Sequence, residues 1–216
     1  MQDKDINKSK LFSGVKDFRE NYYVHHKDIY KKLKISQQPH TLFIGCSDSR
    51  VVPNLITKSL PGELFIIRNI ANLVPYYKDT HDTYVSTSAA IEFAVKALNV
   101  NNIIVCGHSN CGGCKALFST KISKQLPLTQ KWLELTGDVK ERVMRKIETE
   151  QLKPSFKYRL TEQLNVVEQM NHLLTFPYIR ERYDRGEITI LGWHYVIETG
   201  EVFNYSAEKQ AFERIE

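Results

Sequence analysis

The chain has 216 residues, 42% hydrophobic and 25% charged, a balance that suits one domain with a substantial core and excludes a disordered or fibrous protein. Its formal charge of +5 is the small difference between 30 basic and 25 acidic residues. The two signs interleave along almost every segment, so even the basic stretch at 27–34 reads as a solvated helix face, and no nucleic-acid partner is expected.

The first residues, Met1-Gln2-Asp3-Lys4-Asp5, form no apolar signal core. No apolar run reaches the ~18 residues needed to span a bilayer, so a cytoplasmic protein without a membrane partner is expected. Over residues 8–34, Leu11, Phe12, Val15, Phe18, Tyr22 and Tyr23 recur at helical spacing among charges, which predicts an N-terminal helical arm that packs on the body or on a partner. Residues 41–46, 63–68 and 102–107 are short branched or aromatic runs bounded by Pro, Gly or Asn, and read as buried strands. Between the last two, Ala90, Ile91, Ala94, Val95 and Leu98 make a helical apolar stripe over 84–98. Strand, helix, strand implies right-handed parallel crossovers.

Residues 116–185 are helical in pattern, broken by Pro127, Gly137, Pro154 and Pro177, and read as scaffold and interface with no cluster of ligand-type residues. Residues 187–197 then read as a buried strand and 200–205 as an edge strand. The expectation is an α/β fold with a mainly parallel central sheet of four to five strands flanked by helices. It forms a single domain over 1–216, with an arm at 1–36 and a core at 37–216.

Cys46 closes the first strand and is followed by Ser47-Asp48-Ser49-Arg50, while Gly107-His108-Ser109-Asn110-Cys111-Gly112-Gly113-Cys114 follows the third. Both segments leave the carboxyl ends of parallel strands, where open α/β sheets place their sites. Two thiolates and one imidazole suit Zn²⁺, and three protein ligands leave one position open, which is catalytic in character. His108 and Cys111 are spaced so that a turn entering a helix aims both at one ion, Gly112-Gly113 permits close backbone approach, and a helix N-terminus favours thiolate. Taken singly, Cys46 is a buried small hydrophobe and His108 a satisfied loop residue; the surrounding motifs favour the metal reading. A four-ligand structural zinc would need Cys106 or Cys114, but the first lies inside a strand and the second one helical turn beyond Cys111.

Cys46-Ser47-Asp48-Ser49-Arg50 and His108-Ser109-Asn110-Cys111-Gly112 resemble the two signature motifs of β-class carbonic anhydrases, and Pro61-Gly62-Glu63-Leu64-Phe65 and Arg68-Asn69-Ile70-Ala71-Asn72 match the same family. The resemblance covers residues 37–117 strongly and the rest more loosely. It implies one Zn²⁺ per chain on Cys46, His108 and Cys111, with hydroxide generated on the metal attacking carbon dioxide to give bicarbonate. It implies a dyad in which Arg50 holds Asp48, and a closed state in which Asp48 takes the fourth zinc position. Gln37, Phe65, Phe93 and Gly113 fall at substrate-binding positions, with Phe93 where plant-type members commonly have tyrosine. A second bicarbonate site would map to Phe43, Arg68 and Tyr195, with Phe43 lacking the donor found there in bicarbonate-regulated members. The resemblance also implies a homodimer or homotetramer, pocket residues contributed across the interface and the arm reaching over the neighbour. His25, His26, His81, His172 and His194 carry no motif that marks a proton shuttle. Two rival readings are a hydrolase of a carbon dioxide analogue such as carbon disulfide, and a catalytically silent zinc protein.

Overall fold

Thr41–Cys46 forms β1, buried along its whole length, and the sheet is built around it. The computed structural model describes residues 2–77, 84–119 and 125–216. The described strands are β1, β2 (Leu64–Asn69), β3 (Asn102–His108), β4 (Thr189–Tyr195), β5 (Val202–Ser206) and β6 (Ala211–Arg214), in the sheet order β2-β1-β3-β4-β5-β6. The first four neighbours in that order run parallel and the last two pairings are antiparallel. The fold is α/β with a mostly parallel sheet, as expected, but six strands replace the four to five read from the sequence. β6 escaped because it is four residues long and offers one large apolar side chain, Phe212, whose ring packs 5.3 Å from Tyr205 and 6.2 Å from His194.

The α-helices given in full by the described residues are α1 (Gln2–Asp17), α2 (Tyr23–His25), α3 (Lys27–Leu33), α4 (Pro53–Thr57), α5 (Val85–Glu92), α6 (Gly112–Ala116), α7 (Pro127–Leu133), α8 (Val139–Thr149), α9 (Lys157–Leu173) and α10 (Pro177–Asp184). The helix expected over 84–98 is α5, which widens into a π-helical turn at Phe93–Ala97. Parallel strands covered on both faces read as continuous apolar runs. Leu42 and Ile44 of β1 and Ile103 and Val105 of β3 are accordingly buried with Val95, Val166 and Leu173 from the helices. Each such side chain contributes roughly 1.5–3 kcal/mol of burial free energy.

The chain divides into two compact units, residues 1–38 and 39–216. In the first, α1 leads through a π-helical turn at Phe18–Tyr22 into α2 and α3, and the rings of Phe18, Tyr22, Tyr23, His26 and Tyr30 pack on one another. Leu11, Phe12 and Val15 are exposed. The second unit carries the sheet. No helix among the described residues is long and apolar enough to cross a membrane.

Candidate metal centre

Because β1 and β3 are neighbours in the sheet, their last residues, Cys46 and His108, emerge side by side at its carboxyl edge. The chain then turns through Asn110 in the left-handed region, φ +60°, and reaches Cys111 just before α6. Asparagine tolerates that conformation better than most residues. Cys46 Sγ, one His108 ring nitrogen and Cys111 Sγ all lie within 4.8 Å of one another, and all three residues are buried.

His108 Nδ1 is 3.0 Å from the Ser109 carbonyl oxygen, which can only accept. The proton therefore sits on Nδ1 and the lone pair on Nε2. That Nε2 is buried and meets no hydrogen-bond partner. An orphaned buried acceptor costs about 1–3 kcal/mol unless something engages it. One such nitrogen beside two thiol sulfurs is the donor set of a tetrahedral ion with one position left open, so these residues fit Zn²⁺.

In the metal-free protein the Cys46 thiol is pushed up to about 12, first by its hydrogen bond with Cys111 and then by burial. Cys111 is also pushed up to about 12, first by its hydrogen bond with Cys114, with burial adding to it. Cys106 and Cys114 are buried too but stand outside the three-residue group.

Asp48 leaves β1 two residues after Cys46 and is held by Arg50 through Nε to Oδ1 at 2.8 Å and Nη2 to Oδ2 at 2.7 Å, with the Arg50 amide adding a bond to Oδ1 at 3.0 Å. The Arg50 guanidinium holds the carboxyl well below the usual carboxylate range. Asp48 Oδ2 lies 3.9 Å from His108 Nε2. Arg68 fixes the loop from below, donating to the carbonyls of Cys46 at 3.0 Å and Asp48 at 2.7 Å.

Gly113 follows Cys111 by two residues on α6, and its glycine is a packing requirement: a Cβ there would sit 2.8 Å from the Cβ of Ala71. Phe65 and Phe93 meet each other, rings 6.0 Å apart. Phe65, however, pairs with Leu42, four positions before Cys46 on β1. At about 3.3 Å per residue this is ~13 Å back along the strand. Gln37 is exposed and belongs to the N-terminal unit. Phe43 is fully buried, its ring edge-on to Trp193 at 6.3 Å, and Tyr195 is half-buried in the same cluster. His81 lies outside the described residues.

A polar ridge on α9 went unread in the sequence. Glu162 accepts the Cys111 N–H at 3.1 Å, Asn165 donates to the Ala71 carbonyl at 2.9 Å, and Gln169 accepts the Val74 N–H at 2.8 Å. His172 Nδ1 is 2.7 Å from the Val74 carbonyl. All four are buried, at positions i, i+3, i+7 and i+10, the face that a core helix normally gives to apolar residues. Their polarity at that spacing was the available signal.

A family model described as carbonic anhydrase matches residues 41–202. The chain is 43% identical over 212 residues to a carbonic anhydrase of Helicobacter pylori strain J99, covering 96% of this chain and 94% of that one. It is 40% identical to a carbonic anhydrase of Synechocystis, covering 91% and 70%. Among solved structures it resembles the β-carbonic anhydrase CcaA with a TM-score of 0.89 at 38% identity, covering 97% of this chain and 92% of that one. It also resembles a structure from a study of two tetrameric β-carbonic anhydrases of Sordaria macrospora, with a TM-score of 0.73 at 29% identity and 94% and 95% coverage. With the family model spanning most of the chain and relatives of this identity spanning nearly all of it, the chain belongs to the β-class carbonic anhydrases, a family of enzymes.

Proposed function

We propose that the protein catalyses the reversible hydration of carbon dioxide to bicarbonate and a proton, with one Zn²⁺ per chain held by Cys46, His108 and Cys111. The observation that carries this reading is the buried, partnerless Nε2 of His108, set between two thiols and 3.9 Å from the Arg50-locked carboxylate of Asp48. When bound, zinc supplies the Lewis acidity that lowers the pKa of a coordinated water from about 15.7 toward neutrality.

The chain's own residues do the rest. Arg50 occupies Asp48 on the side facing it and keeps the carboxylate ionised, so Asp48 can only accept a hydrogen bond. A carboxylate fixed in this way orients the attacking oxygen by taking its proton-bearing bond, leaving a lone pair for the substrate carbon. Arg68 holds the backbone of both Cys46 and Asp48, so ligand and orienting group move as one piece. Carbon dioxide, linear and apolar, needs a water-poor wall, and we assign that wall to Phe65 and Phe93, with Gln37 and the backbone of Gly113 orienting the substrate. Since Phe65 stands ~13 Å back along the sheet from its own Cys46, the wall of each site is assigned to the neighbouring subunit of a homodimer or homotetramer. Action in the cytoplasm fits the reading. The released proton passes to buffer, and no histidine is assigned to carry it.

Metal analysis with stopped-flow hydration assays tests this. Freshly purified protein should hold one zinc per chain, lose activity with chelator and regain it with zinc. Protein without zinc, or a Cys46→Ser variant that keeps full zinc and rate, overturns the assignment.

A further inference from the structure

We propose that Glu162, paired with His194, is the positioning residue for Cys111 and governs how firmly the metal site is held. The inference rests on the reading of Cys46, His108 and Cys111 as the ligand set.

Glu162 is 2% exposed and His194 1% exposed. Burying a carboxylate is costly unless its oxygens are satisfied. Among the described residues, no Lys or Arg nitrogen lies within ion-pair distance of it. Each of its oxygens instead has one partner: Oε1 accepts the Cys111 backbone N–H at 3.1 Å, and Oε2 faces His194 Nε2 at 3.1 Å. Because a carboxylate accepts, His194 carries its proton on Nε2 toward it, and its Nδ1 is buried with no partner. The fold thus leaves one buried ring nitrogen unsatisfied in order to hold a carboxylate, which in turn holds the peptide of Cys111.

The approach of α9 that makes this possible is written into β3. Gly107 has no side chain where a Cβ would lie 2.7 Å from Val166 Cγ2, so the helix presses against the strand end directly behind the loop. Cys111 itself is extended, φ −63° and ψ 121°, the last residue before α6. Rotation of its peptide would swing Sγ away from Cys46 and His108. The Glu162 bond opposes that rotation, and His194 stops Glu162 from turning away. Hydrogen-bonded partners of ligand residues typically change metal affinity by about 10–100-fold when removed.

The test measures zinc release to a chromogenic chelator and the visible bands of the cobalt(II)-loaded protein, in wild type, Glu162→Ala, Glu162→Gln and His194→Ala, with circular dichroism as the fold control. Glu162→Ala should release zinc about tenfold faster or more and shift the cobalt bands. Glu162→Gln should restore both, because its carbonyl still accepts from Cys111 and its amide can donate to His194, whose free Nδ1 lets the ring take the other tautomer. His194→Ala should give a smaller change in the same direction. A folded Glu162→Ala or His194→Ala protein with wild-type release and bands overturns the proposal. So does a Glu162→Gln protein as fast as Glu162→Ala. Should Glu162→Ala fail to fold, the other two variants decide. Wild-type protein that takes up neither metal defeats the ligand-set reading instead, a distinguishable result.

Discussion

Arg50 grips Asp48 through two parallel bonds of 2.8 and 2.7 Å, and the carboxylate oxygen that takes the shorter one lies 3.9 Å from His108 Nε2. The fork geometry fixes the plane of the carboxylate as well as its position, which a point charge cannot do.

Replacing Arg50 by Lys should therefore cost nearly as much as replacing it by Ala. Each, like Asp48→Asn, should lower the hydration rate by about 100-fold or more, the scale of losing a preorganised polar group. Thermal midpoints should move little, because the Arg50 side chain is 46% exposed and exposed ion pairs add little stability. Stopped-flow rates alongside melting curves check both halves. A lysine variant at full rate would show that charge alone suffices.

Metal uptake should release protons. In the metal-free protein Cys46 and Cys111 are both pushed up to about 12 from an ordinary 9.0, so both are thiols at neutral pH, and a bound metal takes them as thiolates. Titration with zinc in a weakly buffered indicator solution should release about two protons per chain. The same shift has a stability consequence. A thiol whose folded pKa is raised holds its proton better folded than unfolded, so the metal-free protein should lose stability as pH rises from 9 toward 12. Denaturant midpoints of metal-free protein that stay flat over that window would contradict it.

What could be read in the sequence follows from how local each signal is. Cys46, Asp48 and Arg50 lie within five residues, as His108 and Cys111 lie within four, and strand-end placement brings the two clusters together. The parallel core strands announced themselves as unbroken apolar runs. Glu162 lies 51 residues from the Cys111 amide it holds, in a segment read as plain scaffold, and no local pattern encodes that pairing. The resemblance maps Arg68 to an anion site; in the fold its Nε and Nη2 also donate to the carbonyls of Cys46 and Asp48, contacts that exist only once β1 and β2 are paired.

The far end of the α9 ridge makes a pH-dependent contribution. Glu168 is held below the usual carboxylate value, first by its hydrogen bond with His172 and also by Arg142, whose Nη2 donates at 2.6 Å. A carboxylate with a lowered folded pKa contributes stability above its unfolded pKa, about 4.3, and loses it as pH falls below that. Glu168→Gln should thus destabilise by about 1–3 kcal/mol at pH 7, as for a broken buried network. The gap to wild type should close in acid. Urea titrations at neutral and acid pH measure it, and a gap that widened in acid would reverse the sign.

Bicarbonate regulation turns on three positions, Phe43, Arg68 and Tyr195, and the first of them lacks the hydrogen-bond donor. Phe43 is fully buried against Trp193 and offers no donor. Tyr195 pairs with His108 across β3 and β4, and its carbonyl takes the Ser109 amide at 2.9 Å. Arg68 gives two of its five N–H donors to the loop that carries the dyad. Ligand-driven closure requires an anion that binds the closed form more tightly than the open one. Here it would meet an Arg68 whose Nε and Nη2 already donate to two carbonyls, with no indole donor to help. Inhibition by bicarbonate should accordingly be weak and hyperbolic. Phe43→Trp is a blunt probe of this, since a larger ring in a filled core should cost about 1–3 kcal/mol by overpacking. Arg68→Gln discriminates better. If Arg68 serves the loop, the basal hydration rate should fall by about tenfold, as for a lost partner of the ligand shell, with bicarbonate sensitivity unchanged. An Arg68→Gln enzyme with an intact basal rate that has lost a strong, cooperative wild-type response to bicarbonate would show instead that the side chain exists for the anion.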